Sequence, residues 1–551
     1  MNINTYDSKL FPIIIGLLAF TLFISFLPES YILDGFEYAN AVENSDRSIL
    51  SYHHPHHLLY RPLISLIYEL ALDFGYSGHA LIIMQLVSAI SGAFTVAAFF
   101  LIARRILIKP FLALYASLFL TGSFGFWYLS MQTDPYILSL SLLSWSLYFL
   151  IKYNSQPDNF SGVIIGLLFG SALLVSQSNV IFSLVFLYAA FLNGKDTRLF
   201  LFSIGLPAFI TILSYGIIGL LLKNIESIPE LFLWITTFAH TGVNWSFGLE
   251  ESIVGMVKSI GIAMAGGHPF LEYSYGVRGT INLLEMVVNL LSIITSLSVI
   301  VALIFSIKKL YLNPDNNIRI LLSLMFFYYS FFFWWTPGGY KFWVITLIPF
   351  WILVFKGIEL FESHIKSRKM HIILAALAIT WITSNFIGNI FPKSIQKPPV
   401  YAQVKQINLL LGEPDILIVD DFLKFESRPE LKCETFLPQF VSYYLREKVL
   451  PLSLLLSNSE LFFNSIDQAL NNHHKVYSYS SVQNIKQTFS SNSDCLERRG
   501  TKLVTEYTFE PSVIIEEITD IVKHKRVNPK SSKYPRVIWR LESTINENDE
   551  I

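Results

Sequence analysis

Two carboxylates stand close together near the start of this 551-residue sequence. Asp34 and Glu37 are three residues apart in LDGFEYANAVEN, so both side chains share one helix face if Asp34 opens a helix. Carboxylates in such a pair are candidates for proton transfer or for metal binding. The alternative interpretation is structural, with Asp34 capping the helix and Glu37 supporting its first turn.

A histidine cluster follows in SYHHPHHLLYRP, where His53, His54, His56 and His57 surround Pro55. His53 and His57 have the i, i+4 spacing of a metal pair, but the proline between them disfavours a regular helix. A divalent metal is therefore one interpretation, and polar residues at a membrane surface are the other. The acid pair, the histidines and the amphipathic run LLYRPLISLIYELALDF all fall in one loop of a chain that otherwise avoids charge.

The composition is that of a membrane protein. Hydrophobic residues make up 53% of the chain and charged residues only 15%, a balance unlike that of soluble domains. The formal net charge of −1 gives no basic field for nucleic acid, so we expect no nucleic-acid partner.

Apolar segments approaching or exceeding the roughly 20 residues needed to cross a bilayer recur along the chain. Eleven spans are predicted, and the pair within 161–193 is separated only by a very short polar break. The spans are 10–27, 80–103, 110–130, 135–151, 161–176, 178–193, 199–222, 283–306, 319–335, 342–358 and 371–391.

Lysine and arginine favour cytoplasmic loops, and their distribution predicts the sidedness of the chain. With the N-terminus inside, the cytoplasmic connections carry basic residues such as Arg104, Lys195 and Lys309, while the opposite loops near 131–135 and 175–179 carry none. The outer loops are then 29–79, 223–282 and 336–341. Within 223–282, two short apolar runs at 231–240 and 251–267 suit helices lying in the interface, and a re-entrant pair would preserve the same topology.

The chain is predicted to have two parts: a membrane module, 1–391, and an extracytoplasmic domain, 392–551. The fold class is mainly α, a polytopic helix bundle with a small C-terminal α/β domain. DILIVDDF (415–422) and KVYSYSSV (475–482) are typical of strands, while VSYYLREKV and VIIEEITDIVKHK suggest helices. Cys433 and Cys495 form a disulfide if this domain faces an oxidising compartment, and otherwise are free thiols.

The first loop resembles that of the C-type (GT-C) glycosyltransferase superfamily, membrane enzymes related to protein O-mannosyltransferases and lipid A aminoarabinose transferases. The resemblance is carried by D-G-F-E at 34–37 and by H-P-H-H-L-L-Y-R at 54–61, between span one and an amphipathic helix. Bacterial members read D-S-G-E and H-P-P-G-x-P-L-Y at these places. The departures leave the class unchanged and the substrate open.

This resemblance implies transfer of a sugar from a polyprenyl-phosphate carrier to a glycan, lipid or protein acceptor on the outer face of the plasma membrane. Asp34 matches the first-loop acid and would be the general base, with Glu37 as a second, orienting carboxylate. The phosphate would need positive charge, which Lys341 in TPGGYKFW supplies unless it only snorkels among headgroups. The remaining candidates for substrate binding are His54, His56, His57, Tyr60, Arg61, His268, Arg278 and Tyr340.

Two other functions fit the number of spans. A transporter or flippase of a lipid-linked solute would be expected to hold polar groups in mid-span, and such groups are almost absent here. A glycan polymerase or ligase would be expected to concentrate arginines in outer loops, which are arginine-poor here. Members of the superfamily differ in their use of a divalent ion, so the resemblance leaves the metal open.

Overall fold

The computed structural model describes residues 10–29, 31, 33–43, 54–222, 225–236, 245–266, 314–361 and 367–395, five later strands and a few single positions. His53, His268 and Arg278 lie outside the described residues, as do most of the predicted span 283–306 and both helices predicted after residue 440. The chain divides into two compact units, 1–395 and 396–551.

The first unit is built of helices. In chain order they are α1 (Phe11–Ile24), α2 (Leu33–Glu43), α3 (Tyr60–Asp73), α4 (Ala80–Ile106), α5 (Pro110–Gly122), α6 (Phe124–Leu129), α7 (Pro135–Ser155), α8 (Asn159–Val175), α9 (Phe182–Leu192), α10 (Thr197–Leu220), α11 (Ile228–Ile235), α12 (Leu249–Ala265), α13 (Asn316–Trp334), α14 (Tyr340–Leu360) and α15 (Lys369–Ile395).

Six of these helices are long and apolar enough to cross a membrane: α4, α7, α10, α13, α14 and α15. The apolar helices α1, α5, α8 and α9 are shorter. The chain is thus a mainly helical, multi-pass membrane protein, as predicted, and the total of eleven spans stays a prediction. Many apolar side chains of α1 and α10 are exposed, as expected for surfaces that face lipid.

The predicted span 110–130 is interrupted in the structure. α5 ends at Gly122 and α6 begins at Phe124, because Ser123 leaves the helical conformation between them. The Ser123 hydroxyl donates to the Phe119 carbonyl at 2.7 Å and accepts from the Trp351 indole at 3.0 Å. The break is fixed by a contact with α14, which lies far away in the sequence.

Aromatic residues make the buried core between α5, α14 and α15. Trp351 and Trp381 both pack on Phe119, with ring centroids 4.9 and 5.9 Å away. Both indoles are buried, and both N–H groups find an oxygen acceptor, Ser123 Oγ and the Phe119 carbonyl. Satisfying these donors is what allows large indole rings to remain in the core.

Glycines bring α8 close to α10. Gly162, Gly166 and Gly170 are spaced by four residues and so lie on one helix face. A β-carbon at Gly166 would collide with the backbone carbonyl of Phe202. Small residues at this spacing let two membrane helices pack closely where lipid provides no hydrophobic driving force.

The second unit contains a mixed five-stranded sheet with strand order β2-β1-β3-β5-β4. The strands are β1 (Ile416–Val419), β2 (Val449–Pro451), β3 (Val476–Ser478), β4 (Thr501–Thr508) and β5 (Val537–Ser543). β1 pairs in parallel with β2 and β3, and β5 pairs antiparallel with β3 and β4. β1 and β3 lie within the predicted strands 415–422 and 475–482.

Candidate active site

The helix α2 carries Asp34 and lies against the loop that precedes α7. Gly35 touches Thr133, and a β-carbon at this position would overlap the threonine hydroxyl. Glycine therefore allows α2 to approach the loop closely enough to bring Asp34 beside Asp134. The two acids that the sequence predicts as a pair differ in exposure: Asp34 is partly buried, while Glu37 is exposed.

Asp134 is a second acid at this place. Its Oδ1 accepts from the backbone N–H of Tyr136 at 3.0 Å and caps α7, which begins with Pro135. The side chain is fully buried. Burial raises the pKa of Asp134 to about 6, and the Lys341 ammonium opposes this rise.

Lys341 joins the two acids. Its Nζ donates to Asp34 Oδ2 at 2.9 Å and lies 3.7 Å from Asp134 Oδ2. Lys341 stands in the first turn of α14, directly after the Thr-Pro-Gly-Gly turn. Its ammonium also lies over the Tyr136 ring, 5.0 Å from the centroid. Thr336, at the start of that turn, has φ of 54°, a strained conformation for a β-branched residue.

The histidine cluster forms a short 3-10 turn, Pro55–His57, anchored to the end of α8. The His57 ring is buried, and its Nδ1 lies 2.8 Å from the Val175 carbonyl. A carbonyl only accepts, so Nδ1 carries the proton in this contact. Burial lowers the pKa of His57 to about 3, and the bond to Val175 opposes this shift. His57 is therefore a neutral residue that fixes the turn.

The other two described histidines complete the same turn. His54 Nδ1 accepts from the His56 backbone N–H at 3.3 Å, and the His54 ring stacks on His57 at 6.2 Å. Burial lowers the pKa of His56 to about 4, so this side chain is also neutral near pH 7. Among the described residues, no group of three histidine, cysteine or acidic side chains is arranged to hold a metal ion.

Arg61 and Tyr60 pack beside α2. The Arg61 guanidinium lies over the Tyr38 ring, 4.9 Å from its centroid, and Glu37 and Asp34 both interact with its charge. Tyr60 is fully buried with its ring 5.5 Å from Tyr38. These predicted residues thus support the face of α2 that carries Asp34.

Glu43 fixes the other end of α2. Its Oε1 accepts from the backbone N–H of Ala80, the first residue of α4, at 2.7 Å. Its Oε2 lies 3.3 Å from His79 Nδ1. An anion at a helix N-terminus is favourable, so Glu43 both satisfies a free N–H of α4 and ties α2 to a membrane span.

The structure therefore brings Asp34 and Lys341 together from the predicted set and adds Asp134. Tyr340 is half-buried next to Lys341, with its ring 6.2 Å from Phe124. The sequence signal for Asp134 was the TDP motif directly before a predicted span, a typical helix cap. Nothing in that motif distinguishes a structural cap from a residue that also faces a site.

The arrangement can bind an anion and take up a proton. One ammonium faces two carboxylates, and Lys341 also lines a small cavity between α7, α13 and α14. The Asp34 side chain is 41% exposed and the Asp134 side chain is 0% exposed. Asp34 is thus the acid that a bound molecule can reach, while Asp134 acts on it through Lys341.

Comparison with known proteins gives one family and one fold. Residues 53–217 match the family described as dolichyl-phosphate-mannose-protein mannosyltransferase. The crystal structure of ArnT from Cupriavidus metallidurans bound to undecaprenyl phosphate shares the fold, with a TM-score of 0.55 and 12% identity over 97% of this chain and 98% of its own. The apo structure of the same protein gives 0.57 and 12% over 96% and 97%. No curated protein sequence matches this chain significantly.

Proposed function

We propose that this chain is a membrane glycosyltransferase of the C-type (GT-C) superfamily and that it transfers a hexosyl or pentosyl group from a polyprenyl-phosphate donor to an acceptor hydroxyl on the outer face of the membrane. The observation that carries the proposal is the position of Lys341 Nζ, 2.9 Å from Asp34 and 3.7 Å from Asp134 beside a small cavity. The solved structure of ArnT with undecaprenyl phosphate supports a lipid-phosphate donor.

In the proposed reaction Asp34 acts as the base and Lys341 as the cation that receives the phosphate. The acceptor oxygen forms a bond to the anomeric carbon while the bond from that carbon to the lipid phosphate oxygen breaks, and the phosphate stays on the polyprenyl chain. A hydroxyl has a pKa far above 7, so its proton must pass to a base in the transition state, and Asp34 is that base. Lys341 stabilises the negative charge of the departing phosphate.

Binding of the donor activates the base. In the unliganded site, Lys341 is hydrogen-bonded to Asp34. A phosphate that binds Lys341 competes with this contact, and the buried Asp134 remains to hold the lysine in place. Asp34 is then released to accept a proton. Charge in this chain gathers at the ends of spans, which favours an enzyme at the membrane surface over a transporter.

The test uses purified protein with labelled polyprenyl-phosphate sugars and a membrane extract as acceptor. Asp34→Asn should lower turnover by about 100-fold or more, the scale of general base catalysis, and leave binding of unglycosylated polyprenyl phosphate intact. Lys341→Ala should weaken that binding. Asp73→Asn and Lys258→Ala, which change exposed charges on α3 and α12, serve as controls. Undiminished turnover in Asp34→Asn would refute the assignment of the base.

A further inference from the structure

The segment that leads into α12 lies at the end of the span α13. The backbone of Trp245 forms an antiparallel bridge with Trp335, and the Ser246 N–H donates to the Trp334 carbonyl at 2.9 Å. α13 is long and apolar enough to cross a membrane, and it ends at Trp334. Because the end of a span lies at the membrane surface, the start of α12 lies there too.

Aromatic side chains mark the same level. Phe247 is exposed and stacks on the Trp245 ring at 6.0 Å, and Trp334 is exposed as well. Aromatic rings are enriched where the bilayer meets water. These rings therefore place the start of α12 in the membrane–water interface.

The helix α12 has three faces. One face is buried against the bundle. Beside it lies an exposed apolar stripe formed by Leu249, Ile253 and Val257, which are spaced by four residues. The third face carries the remaining exposed side chains, Glu250, Glu251, Val254 and Lys258. A helix lying in the interface has this arrangement, with an apolar face among the acyl chains and a charged face in water.

The buried face of α12 contacts the turn that precedes Lys341. A β-carbon at Gly255 would lie 3.1 Å from the Gly338 backbone nitrogen and 3.1 Å from Pro337. The Trp343 indole donates to the Pro337 carbonyl at 3.2 Å, so the first turn of α14 contacts the same proline. The Thr-Pro-Gly-Gly turn is thus fixed by α12 and by α14, directly before the lysine.

The second half of α12 rests on α6. A β-carbon at Gly125 would lie 2.9 Å from the Cα atom of Ala263, so the two helices pack backbone against backbone. α12 is therefore supported along its length, and a change in its position is passed on to the turn.

We infer that α12 inserts its apolar stripe among the acyl chains of outer-leaflet lipids and so holds the turn before Lys341 at the depth of the lipid phosphates. A polyprenyl chain dissolves in the bilayer, and its phosphate lies at this depth as well. The ammonium must be held at the same level to bind that phosphate. The role of Lys341 rests on the proposed function, whereas the lipid contact of the stripe follows from the positions of its residues alone.

The first measurement tests the lipid contact, using the full chain in vesicles of phosphatidylcholine and phosphatidylglycerol. In a background with Cys433→Ser and Cys495→Ser, a nitroxide is attached to Val257→Cys or, as the matched control on the charged face, to Lys258→Cys. The nitroxide at position 257 should collide several-fold more often with oxygen, which concentrates among acyl chains, than with a water-soluble nickel complex. The nitroxide at position 258 should show the reverse preference.

Two results of this measurement would overturn the inference. Equal collision rates with the nickel complex at positions 257 and 258 would place the stripe in water. Protection of position 257 from both reagents would mean that protein, such as a second copy of the chain, covers the stripe in place of lipid.

The second measurement tests the contact between α12 and the turn. In Gly255→Ala the new methyl group must separate the two by a few tenths of an ångström. We expect the affinity for polyprenyl phosphate to fall by about threefold to tenfold, as for partial loss of one charge-assisted hydrogen bond. The affinity for polyprenol, which lacks the phosphate, should not change. Gly261→Ala is the matched control, because its β-carbon would meet open space on the same helix.

The outcomes distinguish this inference from the proposed function. If Gly255→Ala binds polyprenyl phosphate as wild type does, or loses the same factor for polyprenol, α12 does not position the lysine, and the phosphate site is unaffected. If wild type binds polyprenyl phosphate no more tightly than polyprenol, the proposed function fails, and the role of α12 in it fails too. The collision rates at positions 257 and 258 decide the lipid contact in either case.

Discussion

At the scale of single residues, one positive charge is shared by two carboxylates of different exposure. Asp34 and Lys341 were candidates from the sequence: Asp34 matches the first-loop acid of the superfamily that the loop resembles, and Lys341 is a cation in the short 336–341 turn. Asp134 was not a candidate, because its Oδ1 makes the ordinary cap of α7 while its Oδ2 faces Lys341. The neighbouring sequence indicates the contact of Asp134 with Tyr136, two residues away, and not its contact with Lys341, which is distant in the chain.

The raised pKa of Asp134 predicts a pH dependence. As pH falls through about 6, Asp134 becomes neutral, Lys341 keeps only Asp34 as a charged partner, and Asp34 is less easily released as a base. We expect kcat/KM of the wild type to fall below about pH 6. For Asp134→Asn we expect a lower kcat/KM that does not change with pH over the same range. The measurement is the pH profile of kcat/KM for transfer from a labelled donor.

The stability of the folded protein should change in the opposite sense. Because the folded pKa of Asp134 lies above the ordinary value of 3.8, the stabilisation from its protonated form is present below about pH 4 and is lost as pH rises through about 6. The Tm of wild type relative to Asp134→Asn should therefore fall over this window. A difference in Tm that does not vary with pH would contradict the raised pKa.

Gly35 gives a second prediction at this scale. In Gly35→Ala the new methyl group must push α2 away from Thr133, and Asp34 moves with it. Since a displacement of about 1 Å at a reacting group can cost about 100-fold in rate, we expect a loss of that order in turnover with little change in expression. Gly261→Ala is the control, because its β-carbon would meet open space in α12. Equal activity of the two variants would show that the close approach has no role in catalysis.

At the scale of elements, α2 is held at both ends by polar contacts with its neighbours. Asp34 is bonded to α14 near the start of α2, and Glu43 is bonded to the first residue of α4 at its end. The sequence predicted a helix here and its position after the first span. The sequence does not predict the hydrogen bond between Glu43 and Ala80, because this bond depends on how α4 is placed relative to α2 after the chain has passed through α3.

The contact of Glu43 predicts different effects for two substitutions. Glu43→Gln keeps an oxygen acceptor for the Ala80 N–H and should retain most activity, whereas Glu43→Ala leaves that N–H unsatisfied and α2 unfixed at this end. We expect Glu43→Ala to lower kcat several-fold while the affinity for polyprenyl phosphate stays the same. Steady-state kinetics and lipid binding on both variants check this. Equal kcat in the two variants would mean that charge, and not the hydrogen bond, matters at this position.

Helix boundaries show where sequence reasoning about elements reaches its end. The segment predicted as one span over 178–193 begins as a 3-10 turn, Gln177–Ile181, before α9 starts at Phe182. Gln177 donates to Tyr215 and to the Ile235 carbonyl, which come from two later segments. A hydropathy average over this segment detects its apolar residues. It does not detect that the first residues form a separate 3-10 turn.

At the scale of the whole molecule, the composition and the recurrence of apolar runs were sufficient to predict a mainly helical membrane protein. The fold shared with ArnT at 12% identity depends instead on the order of these helices and on their packing. Pairs such as Gly166 with Phe202, or Trp351 with Phe119, join segments that no local pattern relates.

The predicted sidedness can be tested with two exposed turns. In a background with Cys433→Ser and Cys495→Ser, an impermeant maleimide added to intact cells should label Ser77→Cys, which lies between α3 and α4 on the outer side. Lys195→Cys, between α9 and α10, should be labelled only after the membrane is opened. Both positions are exposed in the structure. Labelling of Lys195→Cys in intact cells would reverse the topology and place the acids on the wrong side for the proposed reaction.

The ion pair between Asp34 and Lys341 joins residues that are 307 positions apart in the chain. During synthesis the N-terminal helices enter the membrane first. Asp34 and Asp134 therefore lack their partner Lys341 until α14 has been inserted. A buried charge that lacks its partner is strongly destabilising, by about 3–5 kcal/mol where it has been measured. Formation of this ion pair thus depends on the late insertion of α14, and a chain that stops before α14 holds Asp134 without the Lys341 ammonium.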